Sequence, residues 1–311
     1  MSKTNITITG DLGSGKSSIA KELCKMLNYK YFSTGSIQRQ IGKNKGMNTL
    51  ELNYFSENND DIDKYIDDLV LKINNEKDLY VLDSRMAWHF INESFKIHLT
   101  VNPIVAAKRV VSDNHRDNEP IVKDIYEKSL NLLERRAAED KRFNDKYGVD
   151  CSDLSNFDLV IDSTISSIEE ILKLIFHLYT EFSNKAAVNK YWVSPMSLYP
   201  TEHVRTLERD ETKRIKQSIS KNGFYRSNVV EIVKFGTDLF IWDGHKRTST
   251  AIFNKISLIP IDILAKDDDE IHSGNVVSHF IAATFNLSWL YDWEDVHGFM
   301  FESYPKVKQN S

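Results

Sequence analysis

Residues 10–17 read GDLGSGKS and lie between the β-branched run ITIT at residues 6–9 and a helical apolar pattern over residues 17–27. This order predicts a strand, a glycine-rich loop and a helix, and the loop fits the pattern G-x-x-x-x-G-K-[ST]. Glycines let successive backbone N–H groups turn inward around phosphate oxygens, and the helix N-terminus adds a favourable dipole. The stretch therefore predicts a site for the phosphates of a nucleotide.

The residue types of the loop also predict its cofactors, ATP and Mg²⁺. The ammonium group of Lys16 is expected to reach the β- and γ-phosphates, and the hydroxyl of Ser17 is expected to hold the magnesium ion. The residues predicted to form this site are Gly10, Gly13, Ser14, Gly15, Lys16, Ser17 and Ser18.

Strand and helix patterns alternate through the first half of the chain. Short apolar runs at residues 79–82, 95–101 and 157–161 predict strands. Ser167 and Glu170 predict a capping box at the start of an apolar helix. This alternation predicts an α/β fold, in which helices cover both faces of a parallel sheet.

A change of pattern after about residue 183 predicts two domains, residues 1–183 and residues 184–311. The second is expected to be a smaller α+β domain, and the acidic run DDDE at residues 267–270 is interpreted as a solvated helix start. The elements predicted there are a polar helix over residues 210–222 and strands over residues 228–233, 239–242 and 258–264.

Composition narrows the class of protein. The 311 residues suffice for two ordinary domains. No stretch of the sequence approaches the roughly 20 consecutive apolar residues that a membrane helix needs. The two cysteines cannot form a disulfide framework, so we expect a cytoplasmic protein without a membrane partner. The net charge of −5 argues against a general DNA-coating protein, so nucleic acid is not an expected partner.

Two arginines near predicted strand ends are candidates for binding a second phosphate. Arg39 follows STG at residues 33–35, and Arg85 follows a strand that ends at Asp83. Ligands of open parallel sheets gather at the carboxyl ends of the strands. We therefore predict that Arg39, Asp83 and Arg85 bind the phosphoryl acceptor.

Three further arginines lie on one long helical pattern. Arg135 and Arg142 are seven residues apart and share a face, and Arg136 lies beside them. One interpretation is a catalytic role for Arg136 and Arg142, because phosphoryl transfer needs positive charge around the moving group. The other is a solvated helix in which these cations pair with acidic neighbours, namely Glu134, Glu139 and Asp140.

Taken together, residues 4 to about 180 resemble a cytidylate kinase, particularly the short archaeal type. The resemblance implies that a nucleoside monophosphate, CMP or dCMP, accepts the phosphoryl group and that Arg39 and Arg85 hold its phosphate. It also implies that Arg136 and Arg142 belong to a lid that closes over ATP and excludes water. The matching stretches are residues 10–18, 31–35 with Arg39, 46–47, 83–85, 135–150 and 153–162.

This sequence departs from the cytidylate kinase pattern in two places. A glycine is usual in the middle of the stretch at residues 83–85, where this chain has Ser84, and the usual Arg-Glu pair is missing at residues 112–116. These departures leave open another interpretation of the first domain, a kinase that acts on an unusual small-molecule acceptor.

Residues 191 to about 265 resemble the ParB/sulfiredoxin-like fold through LYPTE at residues 198–202 and DGHKR at residues 243–247. The second motif ends a strand and begins a helix, which favours an anion site. Sulfiredoxin chemistry needs a cysteine in this motif, which has none. The residues predicted to bind nucleotide here are Asp243, Gly244, His245 and Arg247.

Within that superfamily, the pairing of the two motifs is most similar to free-serine kinases. The resemblance implies that L-serine is an acceptor and that Glu202 takes the proton of its hydroxyl. An alternative of another class is a nucleotide-dependent switch, in which a ParB-like domain senses CTP or ATP and engages a partner. A helix-turn-helix after residue 265 would favour the switch.

Overall fold

The computed structural model describes residues 3–47, 51–52, 55, 61–113, 124–204, 229–271 and 274–305. The chain divides into two compact units, Met1–Val188 and Asn189–Ser311. The polar helix predicted over residues 210–222 lies outside the described residues. None of the helices within those ranges is long and apolar enough to cross a membrane.

The first unit alternates strands and helices, and the α/β fold class predicted from the sequence is confirmed. Its strands are β1 (Asn5–Gly10), β2 (Lys30–Ser33), β3 (Tyr80–Asp83), β4 (Ser94–Thr100) and β5 (Leu159–Asp162). Its helices are α1 (Lys16–Leu27), α2 (Thr34–Lys45), α3 (Asp61–Ile73), α4 (Ala87–Phe90), α5 (Pro103–Ser112), α6 (Ile125–Tyr147) and α7 (Ile168–Ser183). Ser167 forms the predicted capping box with Glu170 at the start of α7.

The strands of the first unit form a parallel sheet in the order β2-β3-β1-β4-β5. The register pairs Asp83 of β3 with Ile8 of β1 and with Ser33 of β2. The carboxyl ends of these strands therefore meet at one edge of the sheet. The loop that follows β1 leads into α1 at this edge, and α2 begins directly after β2.

Burial along β1 shows why the sheet needs helices on both faces. Ile6, Thr7, Ile8 and Thr9 are all buried, although successive residues of a strand point to opposite faces. Such a strand reads as a continuous β-branched run, as residues 6–9 do, because neither face is left in water.

The second unit contains a mixed sheet in the order β6-β10-β8-β9-β7. In it, β10 is parallel to β8 and antiparallel to β6, while β9 is antiparallel to β8 and parallel to β7. The strands are β6 (Tyr191–Val193), β7 (Leu198–Tyr199), β8 (Val230–Phe235), β9 (Asp238–Asp243) and β10 (Ile259–Lys266). The helices are α8 (His245–Phe253), α9 (Val277–Thr284) and α10 (Leu287–His297).

The core of the second unit contains Phe240 of β9 and Trp293 of α10, both almost fully buried. Ser249 of α8 and His297 of α10 lie 2.7 Å apart, which joins the two helices by a hydrogen bond. The domain assignments made from the sequence, including the ParB-like one, stay predictions.

The interpretation of residues 267–270 as a helix start is wrong. They follow β10 in a turn, and α9 begins only at Val277. Asp267 has a left-handed φ of 49°, and its Oδ1 accepts a 2.7 Å hydrogen bond from the backbone N–H of Gly236. A short acidic side chain satisfies a neighbouring backbone donor in this way more readily in a turn than in a helix.

Candidate functional site

The glycine-rich loop connects β1 to α1 and can hold its shape only with glycine at two positions. Gly10 has a φ of 135°, and a Cβ placed there would lie 2.1 Å from the carbonyl oxygen of Leu99. Gly13 has a φ of 82°, and its Cβ would lie 2.9 Å from Cα of Ala106. Gly15, also left-handed, caps the start of α1. The loop is thus packed closely against β4 and α5 and open on the side of the cleft.

Lys16 is folded back onto this loop. Its Nζ donates hydrogen bonds to the carbonyl oxygens of Gly10, at 2.9 Å, and of Asp11, at 2.7 Å. Burial and the nearby charge of Arg85 lower the pKa of Lys16 to about 7. An anion in the loop would stabilise the charged ammonium group, so the structure holds a lysine suited to meet phosphate oxygens.

Ser17 lies next to the buried carboxylate at the end of β3. Its Oγ donates a 2.6 Å hydrogen bond to Oδ2 of Asp83, which also accepts a 3.0 Å hydrogen bond from the hydroxyl of Tyr31. Hydroxyl and carboxylate oxygens are the ligands that Mg²⁺ prefers. The donor set at this point therefore fits a magnesium ion.

Three charged side chains form a cluster beside the loop. Arg85 donates from Nη1 to the carbonyl oxygen of Gly10 at 2.8 Å, and its Nε lies 3.1 Å from Oε2 of Glu139. The other oxygen of Glu139 accepts a 3.1 Å hydrogen bond from Nε of Arg135. Burial alone would raise the pKa of Glu139, but Arg85 and Arg135 lower it overall. The carboxylate thus fixes two guanidinium groups beside the phosphate loop.

Arg136 lies on α6, as Arg135 and Glu139 do, but it does not line the cleft. Its Nη1 donates to Oδ1 of Asp11 at 2.8 Å, its Nε to Oδ2 of Asp140 at 2.7 Å, and its Nη2 to the carbonyl oxygen of Cys151 at 3.4 Å. The resemblance implies that this arginine belongs to a lid. In the structure, all three of its nitrogens are bonded to protein groups.

Arg142 lies farther along α6 and faces α3. Its Nη1 lies 3.9 Å from Oδ2 of Asp63, and Lys146 lies 3.5 Å from the same oxygen. Among the residues that the structure describes, Nε and Nη1 of Arg142 find no hydrogen-bond partner. Asp63 and Arg142 are both largely buried, so this wall of the cleft presents a carboxylate and a guanidinium group held too far apart for a close bond.

Arg39 lies at the more open side of the cleft. It belongs to α2, whose first turn is capped by the hydroxyl of Ser33, and its Nη2 donates to Oγ of Ser36 at 3.2 Å. The cleft itself has a volume of about 590 Å³. The predicted residues that line it are Gly13, Gly15, Lys16, Ser17, Ser18, Arg39, Asp83, Arg85 and Arg142.

Sequence reasoning missed two contributors to this site. Glu139 was named only in the alternative of a solvated helix, although its spacing of four from Arg135 and three from Arg142 puts all three on one helical face. Arg109 of α5 was not singled out. It donates from Nη2 to the carbonyl oxygens of Ser163 and Thr164 at 2.7 and 3.0 Å, and from Nη1 to that of Gly13 at 3.4 Å, so it supports the loop from behind.

The motif at the start of α8 in the second unit is also held by internal bonds. Nε2 of His245 accepts a 3.0 Å hydrogen bond from the backbone N–H of Thr201, which brings the adjacent Glu202 toward this helix start. Arg247 is hydrogen-bonded to the exposed carboxylate of Asp243. Gly244 has a φ of 116° and caps α8. The two motifs are therefore neighbours in the fold.

The first unit has the parts that define a P-loop kinase: a strand, a phosphate loop ending in lysine and serine, and an arginine-rich cleft at the carboxyl edge of a parallel sheet. A family model described as an AAA domain matches residues 6–141. A cytidylate kinase of Sulfurisphaera tokodaii is 36% identical over 172 residues, which cover 55% of this chain and 92% of that protein. Through these residues the chain belongs to the cytidylate kinase family, and the protein is a phosphotransferase.

Two further comparisons each match somewhat more than half of the chain. An S-adenosylmethionine-dependent nucleotide dehydratase of Lacinutrix mariniflava is 32% identical over 178 residues, which cover 57% of this chain and 36% of that protein. The structure of shikimate kinase from Bacteroides thetaiotaomicron superposes with a TM-score of 0.42 and 15% identity, covering 57% of this chain and 98% of that one.

Proposed function

We propose that the first unit transfers the γ-phosphoryl group of MgATP to a nucleoside monophosphate, with CMP or dCMP as the preferred acceptor. The observation that supports this is a single cleft lined both by Lys16 and Ser17 of the loop and by Arg39 and Arg85 of the predicted acceptor side. The Sulfurisphaera tokodaii relative, named for the phosphorylation of cytidylate, supports the choice of acceptor.

The proposed reaction is an in-line displacement. A bond forms between an oxygen of the acceptor's phosphate and the γ-phosphorus, and the bond from the γ-phosphorus to the β,γ-bridging oxygen breaks. The acceptor's phosphate is largely dianionic at neutral pH, since its second pKa is about 6, so the reaction needs no strong base. Arg85 and Arg135 neutralise the charge that spreads over the transferring group, and Glu139 keeps both in place.

Lys16 and Ser17 serve the donor side in this proposal. Lys16 exchanges the carbonyl oxygens of Gly10 and Asp11 for phosphate oxygens when ATP enters the loop. Ser17 and Asp83 would hold Mg²⁺, which supplies charge neutralisation and orients the phosphates when it is bound.

The wall formed by Asp63 and Arg142 supports a cytosine base. Cytosine presents an amino group that donates hydrogen bonds, beside ring and carbonyl positions that accept them. A carboxylate next to a guanidinium group complements that edge, whereas the O4 of uracil would face the carboxylate. We therefore assign Arg142 to the acceptor, in place of the lid role that the resemblance implies.

Turnover with defined acceptors tests the proposal. Purified protein would be mixed with MgATP and CMP, dCMP, UMP or AMP, and ADP and nucleoside diphosphate would be measured. CMP-dependent formation of both products should fall by at least about a hundredfold in Lys16→Ala and stay unchanged in the exposed control Lys25→Ala. If ADP forms at the same slow rate with and without every monophosphate, the proposal is wrong and an unusual small-molecule acceptor takes its place.

A second candidate activity, phosphorylation of L-serine, lies in the second unit. The observation that favours it is the Thr201–His245 hydrogen bond, which brings Glu202 to the start of α8 near Asp243 and His245. Phosphoserine formation that survives Lys16→Ala and disappears in Glu202→Ala would support it. Absence of phosphoserine, together with binding and slow hydrolysis of CTP or ATP by this unit, would favour the switch.

The end of the second unit bears on the switch. A helix-turn-helix after residue 265 would favour the switch, and α9 and α10 form a helix pair in this part of the chain. They are joined by two residues only, Phe285 and Asn286. However, α10 exposes Asp292 and Asp295, and carboxylates on a helix surface repel the DNA backbone. A partner other than nucleic acid therefore fits this helix pair better.

A further inference from the structure

The phosphate loop contains a carboxylate, Asp11, at its second position. A loop that binds a triphosphate gains nothing from a negative charge of its own, because like charges raise the free energy of the complex. Asp11 belongs to the stretch between Gly10 and Gly13, whose close packing fixes the shape of the loop. Some other feature must offset the negative charge of Asp11.

The side chain of Asp11 is tied down at both oxygens. Oδ2 accepts a 3.0 Å hydrogen bond from the backbone N–H of Val101, and Oδ1 accepts the 2.8 Å bond from Nη1 of Arg136. The side chain of Arg136 is 17% exposed and that of Asp11 is 33% exposed, so this ion pair is partly withdrawn from solvent. Pairing at this distance, with the guanidinium group mostly buried, neutralises the carboxylate more effectively than a fully exposed surface pair does.

The three arginines of helix α6 point in two different directions. Arg135 and Arg142 line the cleft, whereas Arg136 is turned away from the cleft and toward Asp11. Although burial lowers the pKa of Arg136, Asp11 and Asp140 raise it overall, so the guanidinium group remains charged throughout the working pH range. An arginine held permanently in its charged form is suited to cancel a fixed negative charge.

We propose that Arg136 is a positioning residue that masks the negative charge of Asp11, so that the loop can bind the triphosphate of ATP. It acts through Asp11 and does not touch the nucleotide. The inference rests on the proposed function only in taking ATP as the ligand of the loop, and it does not depend on which acceptor is used.

Single and double variants distinguish two roles of the ion pair. As a mask, it cancels the negative charge of Asp11; as a brace, it only holds the loop in shape. The affinity for a non-hydrolysable ATP analogue would be measured by calorimetry, in the presence of Mg²⁺ and without any acceptor. Arg136→Met should weaken binding by about tenfold or more, because it leaves Asp11 unpaired beside the phosphates. Asp11→Asn should bind at least as tightly as the wild type, since the amide keeps an oxygen for the N–H of Val101 and loses the charge.

The double variant carries the decisive expectation. Asp11→Asn with Arg136→Met should bind within about threefold of the wild type, because no charge is left to mask. If the ion pair serves only as a brace, Asp11→Asn will weaken binding by itself and the double variant will bind as weakly as Arg136→Met. Either result would overturn the proposal.

Two controls complete the design. Lys141→Met removes a positive charge from an exposed position of the same helix and should leave binding unchanged. The loss in Arg136→Met should also shrink as salt is raised, because mobile ions then screen Asp11. If Arg136→Met does not fold, Asp11→Asn alone still decides, since mask and brace predict opposite effects. A wild type that binds the analogue but phosphorylates no monophosphate would overturn the proposed function and leave this inference standing.

Discussion

Oγ of Ser17 donates a 2.6 Å hydrogen bond to Oδ2 of Asp83, although the two residues are 66 positions apart in the chain. The bond exists because β3 lies beside β1 in the sheet, so the end of β3 reaches the helix that follows the loop. From the sequence, Asp83 was predicted to bind the phosphoryl acceptor. Its contact with the predicted magnesium ligand favours a place on the metal side of the cleft.

We expect Asp83→Asn to raise the Mg²⁺ concentration needed for half-maximal activity by about tenfold or more, since it removes a charged oxygen from the proposed metal site. Activity measured against Mg²⁺ at saturating ATP would show the shift. Asp78→Asn is the matched control, because Asp78 is exposed and pairs with Lys30 at the surface. Equal magnesium curves for the wild type and Asp83→Asn would remove Asp83 from the metal site.

The affinity for ATP should fall as pH rises above about 7. Burial and Arg85 lower the pKa of Lys16 to about 7 in the free protein, and phosphate oxygens would raise it on binding. Between these two values binding takes up a proton, so the dissociation constant should grow by up to about tenfold per pH unit. Calorimetry in buffers of different ionisation enthalpy would measure this proton uptake directly. An affinity independent of pH from 7 to 9 would contradict the prediction.

Asp63→Asn should change the choice of base. The amide can donate a hydrogen bond to the O4 of uracil, whereas the carboxylate can only accept one from the amino group of cytosine. We expect the ratio of kcat/KM for CMP over UMP to fall by about tenfold, since one such contact contributes about 1–3 kcal/mol. Asp68→Asn, at an exposed position of α3, is the control. An unchanged ratio would remove Asp63 from the base site.

Gly10→Ala and Gly15→Ala should differ sharply. A Cβ at Gly10 would lie 2.1 Å from the backbone oxygen of Leu99, so the loop or β4 must move. We expect that variant to lose about 3 kcal/mol or more of unfolding free energy. At Gly15 a Cβ has room among the residues that the structure describes, and the cost is backbone strain of about 1 kcal/mol. Denaturant unfolding of both variants would check this, and equal losses would contradict it.

The strand pattern and the loop motif were sufficient to predict the α/β fold of the first unit. Residues 6–9 are uniformly buried because both faces of the central strand are covered, and uninterrupted β-branched residues are typical of such a strand. Local patterns were also sufficient for the capping box of Ser167 and Glu170, because both partners lie within one turn. Such features need no knowledge of the neighbouring strands.

Contacts between distant elements were not predictable in the same way. The partners of Arg136 and of Arg142 depend on whether α6 turns one side toward the loop or toward α3. Residue spacing fixes which side chains share a face, but it does not fix what that face meets. The acidic run at residues 267–270 misled for a related reason: turns and helix starts both favour Asp, and only the backbone donor of Gly236 decides between them.

Glu139 gives the cleft a built-in competitor for anions. Its carboxylate already occupies Arg85 and Arg135, and because it is tethered to the same chain its effective concentration is far above that of any dissolved ion. A free phosphate or sulfate ion must compete with it for these two guanidinium groups without help from other contacts. A complete nucleotide, as proposed above, would also bind through its sugar and base, so we expect the cluster to discriminate in favour of whole substrates and against free anions of the same charge.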